Sequence, residues 1–318
     1  MGDPRKGIAQ AATLRRMRGW FAAAIVLSMF LRWLPASAEE PTPPLLYDGR
    51  ARTDRIGRLL VPVSINGQGP FRFVLDTGAN RTVLTPQLIA HLGLSVSGSS
   101  RVTMSGVTGS ASVPTIAVNR VKVGEVELRD VMLPVAASLS DDTSGTLGVD
   151  ALPDSRILLD FTTGRIQIRK AHRENLMDGF SRIRGQCRFE RLLVIRATVG
   201  RIPVSAVVDT GSQFTLANQA LRAKLGFPEK LDPARTTDVI GETLDRQKGE
   251  RRPVPVVRVG NLQSPTPTLI FGDFYVFKLW RLEAEPAIVI GMDMLGSVDK
   301  LVIDYQRCEV LLRPRGAE

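Results

Sequence analysis

The sequence predicts an all-β protein with a few short helices, built from two related halves. Three observations carry that expectation. Most of the chain beyond residue 46 alternates apolar with polar residues, or runs in short β-branched stretches punctuated by Gly, Pro and Asn. A 36-residue segment recurs without a gap. The tripeptide Asp-Thr-Gly occurs twice, as Asp76-Thr77-Gly78 and Asp209-Thr210-Gly211, each after an apolar run and before a small residue, Ala79 or Ser212.

The elements follow in order. Arg15-Arg16-Met17-Arg18, thirteen largely apolar residues at 19–31, and Ala36-Ser37-Ala38 have the composition of an export signal cut after Ala38. The apolar run is short for a bilayer span and ends at Arg32. Export to the periplasm or the medium is therefore expected, with an uncleaved membrane anchor as the alternative. Residues 39–46, with Pro41, Pro43 and Pro44, read as an extended spacer. Residues 59–65 and 70–75 are strand-like around Asn66-Gly67, a favourable hairpin turn because both residues tolerate positive φ. Thr85-Pro86 opens a helix with Leu88 and Leu92 on one face and Gly93 at its end. Residues 115–123 and 165–169 are again strand-like.

An offset of 133 residues lays 59–94 over 192–227 with fourteen of 36 positions identical, the two tripeptides and Thr82/Thr215 among them. Asn218, Leu221, Leu225 and Gly226 repeat the helix signals. Later, Thr146-Leu147-Gly148-Val149-Asp150 mirrors Val289-Ile290-Gly291-Met292-Asp293, and Leu158-Leu159-Asp160-Phe161 mirrors Val302-Ile303-Asp304-Tyr305. Asp150 and Asp293 are candidate caps of a second short helix in each half. A repeat of this length marks a duplicated domain. The expected division is a leader at 1–38, the spacer at 39–46, a first domain at 47–171, a polar linker at 172–186 and a second domain at 187–318.

Charge argues against a nucleic-acid partner. The formal net charge is +10, but residues 1–38 hold half of it, which leaves +5 over the rest. The basic stretch 245–252 is read as a soluble loop. With two cysteines and two unclustered histidines the chain offers no metal site of the usual kind, and no cofactor is expected. Export makes a Cys187–Cys308 disulfide possible without requiring it. Cys308 occupies the turn position of Gly164 in the other half, a surface location.

The paired tripeptides carry the chemistry. Each reads as a strand that delivers a carboxylate into a tight loop. A Cβ at Gly78 or Gly211 would obstruct a partner loop or substrate, and the hydroxyls of Thr77 and Thr210 can bond across to the other loop. Two carboxylates brought together cannot both ionise, so one keeps a proton. Such a pair can take a proton from an attacking water and give one to an amide carbonyl.

With the apolar–apolar–Gly elements ending at Gly148 and Gly291, these motifs resemble the aspartic peptidases. Each half is similar to a retropepsin-like domain of the bacterial aspartyl protease families, over nearly all of residues 47–315. The resemblance implies two retropepsin-like β-barrel domains in tandem about a pseudo-twofold axis. It implies an aspartic endopeptidase with Asp76 and Asp209 as catalytic dyad, and Gly148 and Gly291 on strands bracketing the dyad loops. It also implies a hairpin flap over a peptide or protein substrate. Candidate flaps are 105–110, with Gly106, Val107 and Gly109, and 238–243, with Ile240 and Gly241. No tyrosine lies in the first-half flap, unlike the pepsin branch, which places the chain nearer a retroviral dimer fused into one polypeptide. Because the Ser212 hydroxyl can donate to Asp209 and Ala79 has no equivalent, Asp209 is expected to be the anion and Asp76 the acid. The aromatic group Phe271, Phe274, Tyr275, Phe277 and Trp280 is a candidate subsite, with core packing as the alternative. Against a monomeric peptidase stand an inactive peptide-binding module of the same fold and a pairing of twin halves between chains.

Overall fold

The computed structural model describes residues 43–96, 100–171, 178–264 and 266–316. The expected leader, its cleavage site and the first half of the spacer, residues 39–42, lie outside the described residues; the end of the spacer is not extended linker but the start of strand Leu45–Arg50. Each half starts from the same hairpin. In Leu59–Ile65, Leu59, Val61, Val63 and Ile65 alternate inward and are buried, and the strand pairs antiparallel with Gln68–Leu75. The turn between them holds Asn66 and Gly67 at φ 49° and 83°, the left-handed backbone their side chains permit. In the second half Leu192–Val199 and Ile202–Val208 pair in the same way.

The helix signals hold in both halves. Helix Pro86–His91 is capped by Thr85, whose Oγ1 accepts from the Leu88 N–H at 3.2 Å, and the chain leaves through Gly93 at φ 64°. Helix Gln219–Lys224 is capped by Asn218, which accepts from the Leu221 N–H at 2.9 Å, and Gly226 sits at φ 72°. Asp150 and Asp293 are not caps. They fall in the first turn of the 3-10 segment Val149–Ala151 and of helix Met292–Leu295, whose N-caps are Gly148 and Gly291.

Counted over the described residues, the strands form an eight-stranded sheet in the first half and a fifteen-stranded sheet that joins the halves. The joining layer runs Leu45–Arg50, Arg165–Lys170, Ser155–Asp160, Val298–Asp304, Glu309–Pro314, Ser181–Arg188. At its centre Leu158 stands opposite Val302, its own repeat mate, and the flanking pairs are Arg156 with Asp304 and Asp160 with Lys300. An element facing its mate antiparallel is what a twofold relation between the halves requires. Lys300 Nζ closes on Asp160 at 3.0 Å. Part of the stretch expected to link the halves, residues 181–186, is thus strand; residues 172–177 lie outside the described residues. The basic stretch 245–252 is likewise no loop. It forms most of the strand Arg246–Pro253, with Glu250 fully buried between Arg222 and Arg252.

Cys187 and Cys308 are joined by a disulfide, with Cα atoms 5.4 Å apart. Cys308 turns at φ 51°, as Gly164 does at 62°. The bridge closes a separation of 121 residues, tying the strand that enters the second half to the last turn of the joining sheet. A loop of that length gives a large entropic constraint on the unfolded chain. Replacing both cysteines by serine is expected to cost about 2–5 kcal/mol, read from chemical denaturation curves with m fitted for each protein, since freeing the loop also expands the unfolded chain; an unchanged free energy of unfolding would contradict this.

Candidate active site

The Asp-Thr-Gly loops are set by register. Strand Gly145–Leu147 runs parallel beside Gln68–Leu75, with Leu147 opposite Leu75, and the Asp76 N–H continues the ladder to the Leu147 carbonyl at 3.1 Å. In the second half Ala287–Ile290 lies parallel to Ile202–Val208, and the Asp209 N–H reaches the Ile290 carbonyl at 3.0 Å. Gly148 and Gly291 follow these strands, where a Cβ would come within 2.9 Å of the Ala79 and Ser212 carbonyl oxygens respectively. Asp150 and Asp293 lock the far side of each loop. Asp150 accepts from the Thr82 N–H at 3.0 Å and its hydroxyl at 2.7 Å, and Asp293 does the same for Thr215 at the same distances.

The loops interlock through the two threonines. Each Oγ1 accepts from the other threonine's N–H, at 3.1 and 3.0 Å. Each also donates to a carbonyl of the opposite strand, Thr77 to Val208 at 2.9 Å and Thr210 to Leu75 at 2.6 Å. Thr77 and Thr210 are almost wholly buried, so all four bonds are shielded from water. The glycines set the approach. A Cβ on Gly78 would stand 2.6 Å from the Asp209 carboxylate oxygens, and one on Gly211 would collide with the carboxylate of Asp76. The obstruction foreseen at these glycines therefore falls on the partner loop's aspartate.

Asp76 and Asp209 are each 6 % exposed and share a hydrogen bond. Burial pushes Asp76 above the usual carboxylate range, against the Asp209 hydrogen bond, the loop N–H groups and the charge of Arg58. Burial pushes Asp209 well above that range, and the Asp76 charge adds to the shift. Two carboxylates so buried and so close share one proton, and the charge of Arg58 favours the anion on Asp76.

This reverses the expectation drawn from Ser212. The Ser212 hydroxyl turns away, to the Phe214 carbonyl at 2.8 Å. The backbone donors are matched: Gly78 and Ala79 serve Asp76, and Gly211 and Ser212 serve Asp209. What differs is Arg58. It is fully buried, with Nε on Asp54 Oδ2 at 2.7 Å, and its charge favours the anion on Asp76. By the 133-residue offset its mates are Arg191 and, for Asp54, Cys187, which is committed to the disulfide. Arg191 is exposed and donates to the Pro153 carbonyl at 2.9 Å. The repeat identity extends one residue upstream of Leu59 to this arginine pair, a signal that could have drawn attention to it. Tyr305, the mate of Phe161, also escaped notice. Its buried hydroxyl has no partner, and burial together with the charges of both aspartates pushes it well up.

Above the loops two hairpins meet. Arg101–Ser105 and Ser110–Val123 carry the tip 106–109; Thr236–Ile240 and Arg246–Pro253 carry the tip 241–245. The second tip is thus displaced from the expected 238–243: Ile240 is an exposed strand residue, and Gly241 begins the turn. Thr108 Oγ1 accepts from the Gly241 N–H at 3.0 Å and donates to the Asp245 carbonyl at 2.8 Å. Gly106, Gly109 and Gly241 lie where the tips press together, and the Val107 carbonyl accepts from Val276 N–H at 3.1 Å.

Under the second tip opens a groove of about 640 Å³, walled by Pro86, Ile89, Met104, Val113, Val135 and Leu244. Its counterpart position in the second half is filled. Arg222, the mate of Ile89, is buried against Glu250, and Phe271, Phe274, Phe277 and Trp280 are core. The aromatic group is therefore packing, with only Tyr275 partly exposed. Among the described residues, no group of three or more His, Cys, Asp or Glu side chains could hold a metal ion.

No curated protein matches the chain. Residues 61–151 and 195–294 each match the sequence profile of the aspartyl protease family, more than half of the chain in all and one Asp-Thr-Gly loop in each segment. With its duplicated β halves and interlocked loops, the chain belongs to the aspartyl protease family as two tandem retropepsin-like domains.

Proposed function

We propose that the protein is an exported, monomeric aspartic endopeptidase that hydrolyses peptide bonds with a water activated between Asp76 and Asp209. The observation that carries this reading is the buried carboxylate pair, one member from each half, set side by side inside interlocked loops. In the first step Asp76, as the anion, takes a proton from the water while the water oxygen attacks the amide carbon. Asp209 gives its proton to the carbonyl oxygen, which leaves a neutral tetrahedral diol. In the second step the carbon–nitrogen bond breaks as Asp76 gives its proton to the leaving amine nitrogen, and Asp209 takes a proton from a diol hydroxyl, which forms the carboxyl product and restores the dyad to a single proton. The proton count closes over the two steps.

The two hairpins roof the loops, and the groove beneath the second tip suits an apolar substrate side chain. Its filled counterpart supports a substrate read more selectively on one side of the scissile bond than on the other. The basic and apolar composition of residues 1–38 supports export. Calorimetric titration with a statine peptide, on material of monomeric mass by gel filtration, tests the arrangement. One inhibitor bound per chain is expected. Binding confined to material of dimeric mass would instead mean that twin halves pair between molecules. Binding without any cleavage of a mixed peptide library would favour the inactive binding module.

A further inference from the structure

The tip of the second hairpin delivers a carboxylate to the wall of the site. Glu242 Oε1 accepts from Arg58 Nη1 at 2.8 Å, across 184 residues of sequence. Arg58 is already held by Asp54, and its Nη2 has no partner in the protein. One buried guanidinium therefore serves three carboxyl groups, Asp54, Glu242 and Asp76, with Asp209 behind the last. If Asp54, Asp76 and Glu242 were all ionised, this poorly solvated cluster would carry an excess of negative charge, and like charges so placed oppose one another.

Among the described residues, the elements packed there bring no charge that offsets the excess. The first hairpin's tip is Gly106-Val107-Thr108-Gly109 and brings no charge. Asp245, the other acid of the second tip, lies against Gly109. On the adjoining helix Tyr275–Leu279, Lys278 is tied at the surface to Asp273 at 2.6 Å.

We propose that Glu242 is a positioning residue: seated on Arg58 it holds the second hairpin closed over Asp76, and negative charge on it drives the hairpin open. What closure does for the substrate rests on the peptidase reading above; the closing itself does not. The Glu242 side chain is 28 % exposed in the closed position. Burial raises its carboxyl to about 7, the Asp76 charge adding to the rise and Arg58 drawing it back. A carboxyl that binds its proton more tightly closed than open favours closure as pH falls through 7 toward the ordinary carboxylate range, and loses that support as pH rises through 7. The hairpin is thus shut under mildly acidic conditions.

Backbone hydrogen exchange of residues 241–245, corrected for intrinsic rates, tests the proposal on the whole chain at pH 5.5 and pH 8. In the wild type, protection is expected to be roughly tenfold or more greater at pH 5.5. Glu242→Gln, which keeps the shape of the protonated acid, is expected to show the acidic level of protection at both values. Glu242→Ala is expected to show the weaker, pH 8 level at both. For a peptide that the wild type cuts, KM should rise several-fold from pH 5.5 to pH 8 in the wild type and stay flat in Glu242→Gln. Protection that does not change with pH in the wild type, or changes equally in Glu242→Gln, overturns the proposal. Failure of the wild type to cut any peptide would overturn the peptidase reading and leave the exchange result standing.

Discussion

Asp76→Asn and Asp209→Asn are each expected to lower kcat/KM by at least about a thousandfold on any peptide the wild type cuts. In the proposed proton cycle the two acids have different tasks, and an amide can neither take the water's proton nor supply one to the carbonyl oxygen. The substitutions are close to isosteric, so the interlocked threonine bonds have no reason to break. The stability signature is separable from the kinetic one. Both carboxyl groups are raised by burial, so the folded state binds their protons more tightly than the unfolded state does. The stability they contribute is complete below the ordinary carboxylate range and is lost as pH rises above it. Thermal midpoints of the wild type should therefore fall on going from pH 5 to pH 8, and those of Asp209→Asn should fall less. A variant that is inactive because it is unfolded would show neither pattern.

Gly211→Ala is expected to reduce kcat by about a hundredfold or more and stability by about 1–3 kcal/mol, measured by steady-state kinetics and denaturant titration. The glycine's own backbone is not the reason, since its φ is not in the left-handed region. The added carbon would collide with the Asp76 carboxylate, so the loops must separate or that acid must move. Gly78→Ala, directed at Asp209, should behave alike. Gly93 offers the contrast. At φ 64°, with no atom within 4 Å of its would-be Cβ, alanine there carries only a backbone cost of about 1 kcal/mol and should leave kcat unchanged. Equal kinetic losses at Gly93 and Gly211 would contradict this account of the loops.

Much of the scaffold was legible in the sequence because it rests on local rules. The Asn66-Gly67 turn, the Thr85 and Asn218 caps and the crossed threonines each follow from residue type and from the offset of 133 residues. The readings that failed depended on where a side chain turns. Ser212 could reach Asp209 by type and spacing, but its hydroxyl bonds to the Phe214 carbonyl within its own loop. Asp150 and Asp293 had the composition of caps, yet their register in the first turn points them at Thr82 and Thr215. The charged run at 245–252 looked solvated because its partner for Glu250, Arg222, lies some thirty residues earlier on a helix. The Arg58–Glu242 pair was hidden for the same reason, since its members stand 184 residues apart and only the closed hairpin brings them together.

The central claim is that Asp76 and Asp209 of the same chain make one hydrolytic site. The most direct test is mass-spectrometric mapping of cuts in a mixed peptide library, made by the wild type, by each single Asn variant and by an equimolar mixture of the two. The account predicts defined cuts by the wild type alone. Cuts by either variant, or their return in the mixture, would contradict it.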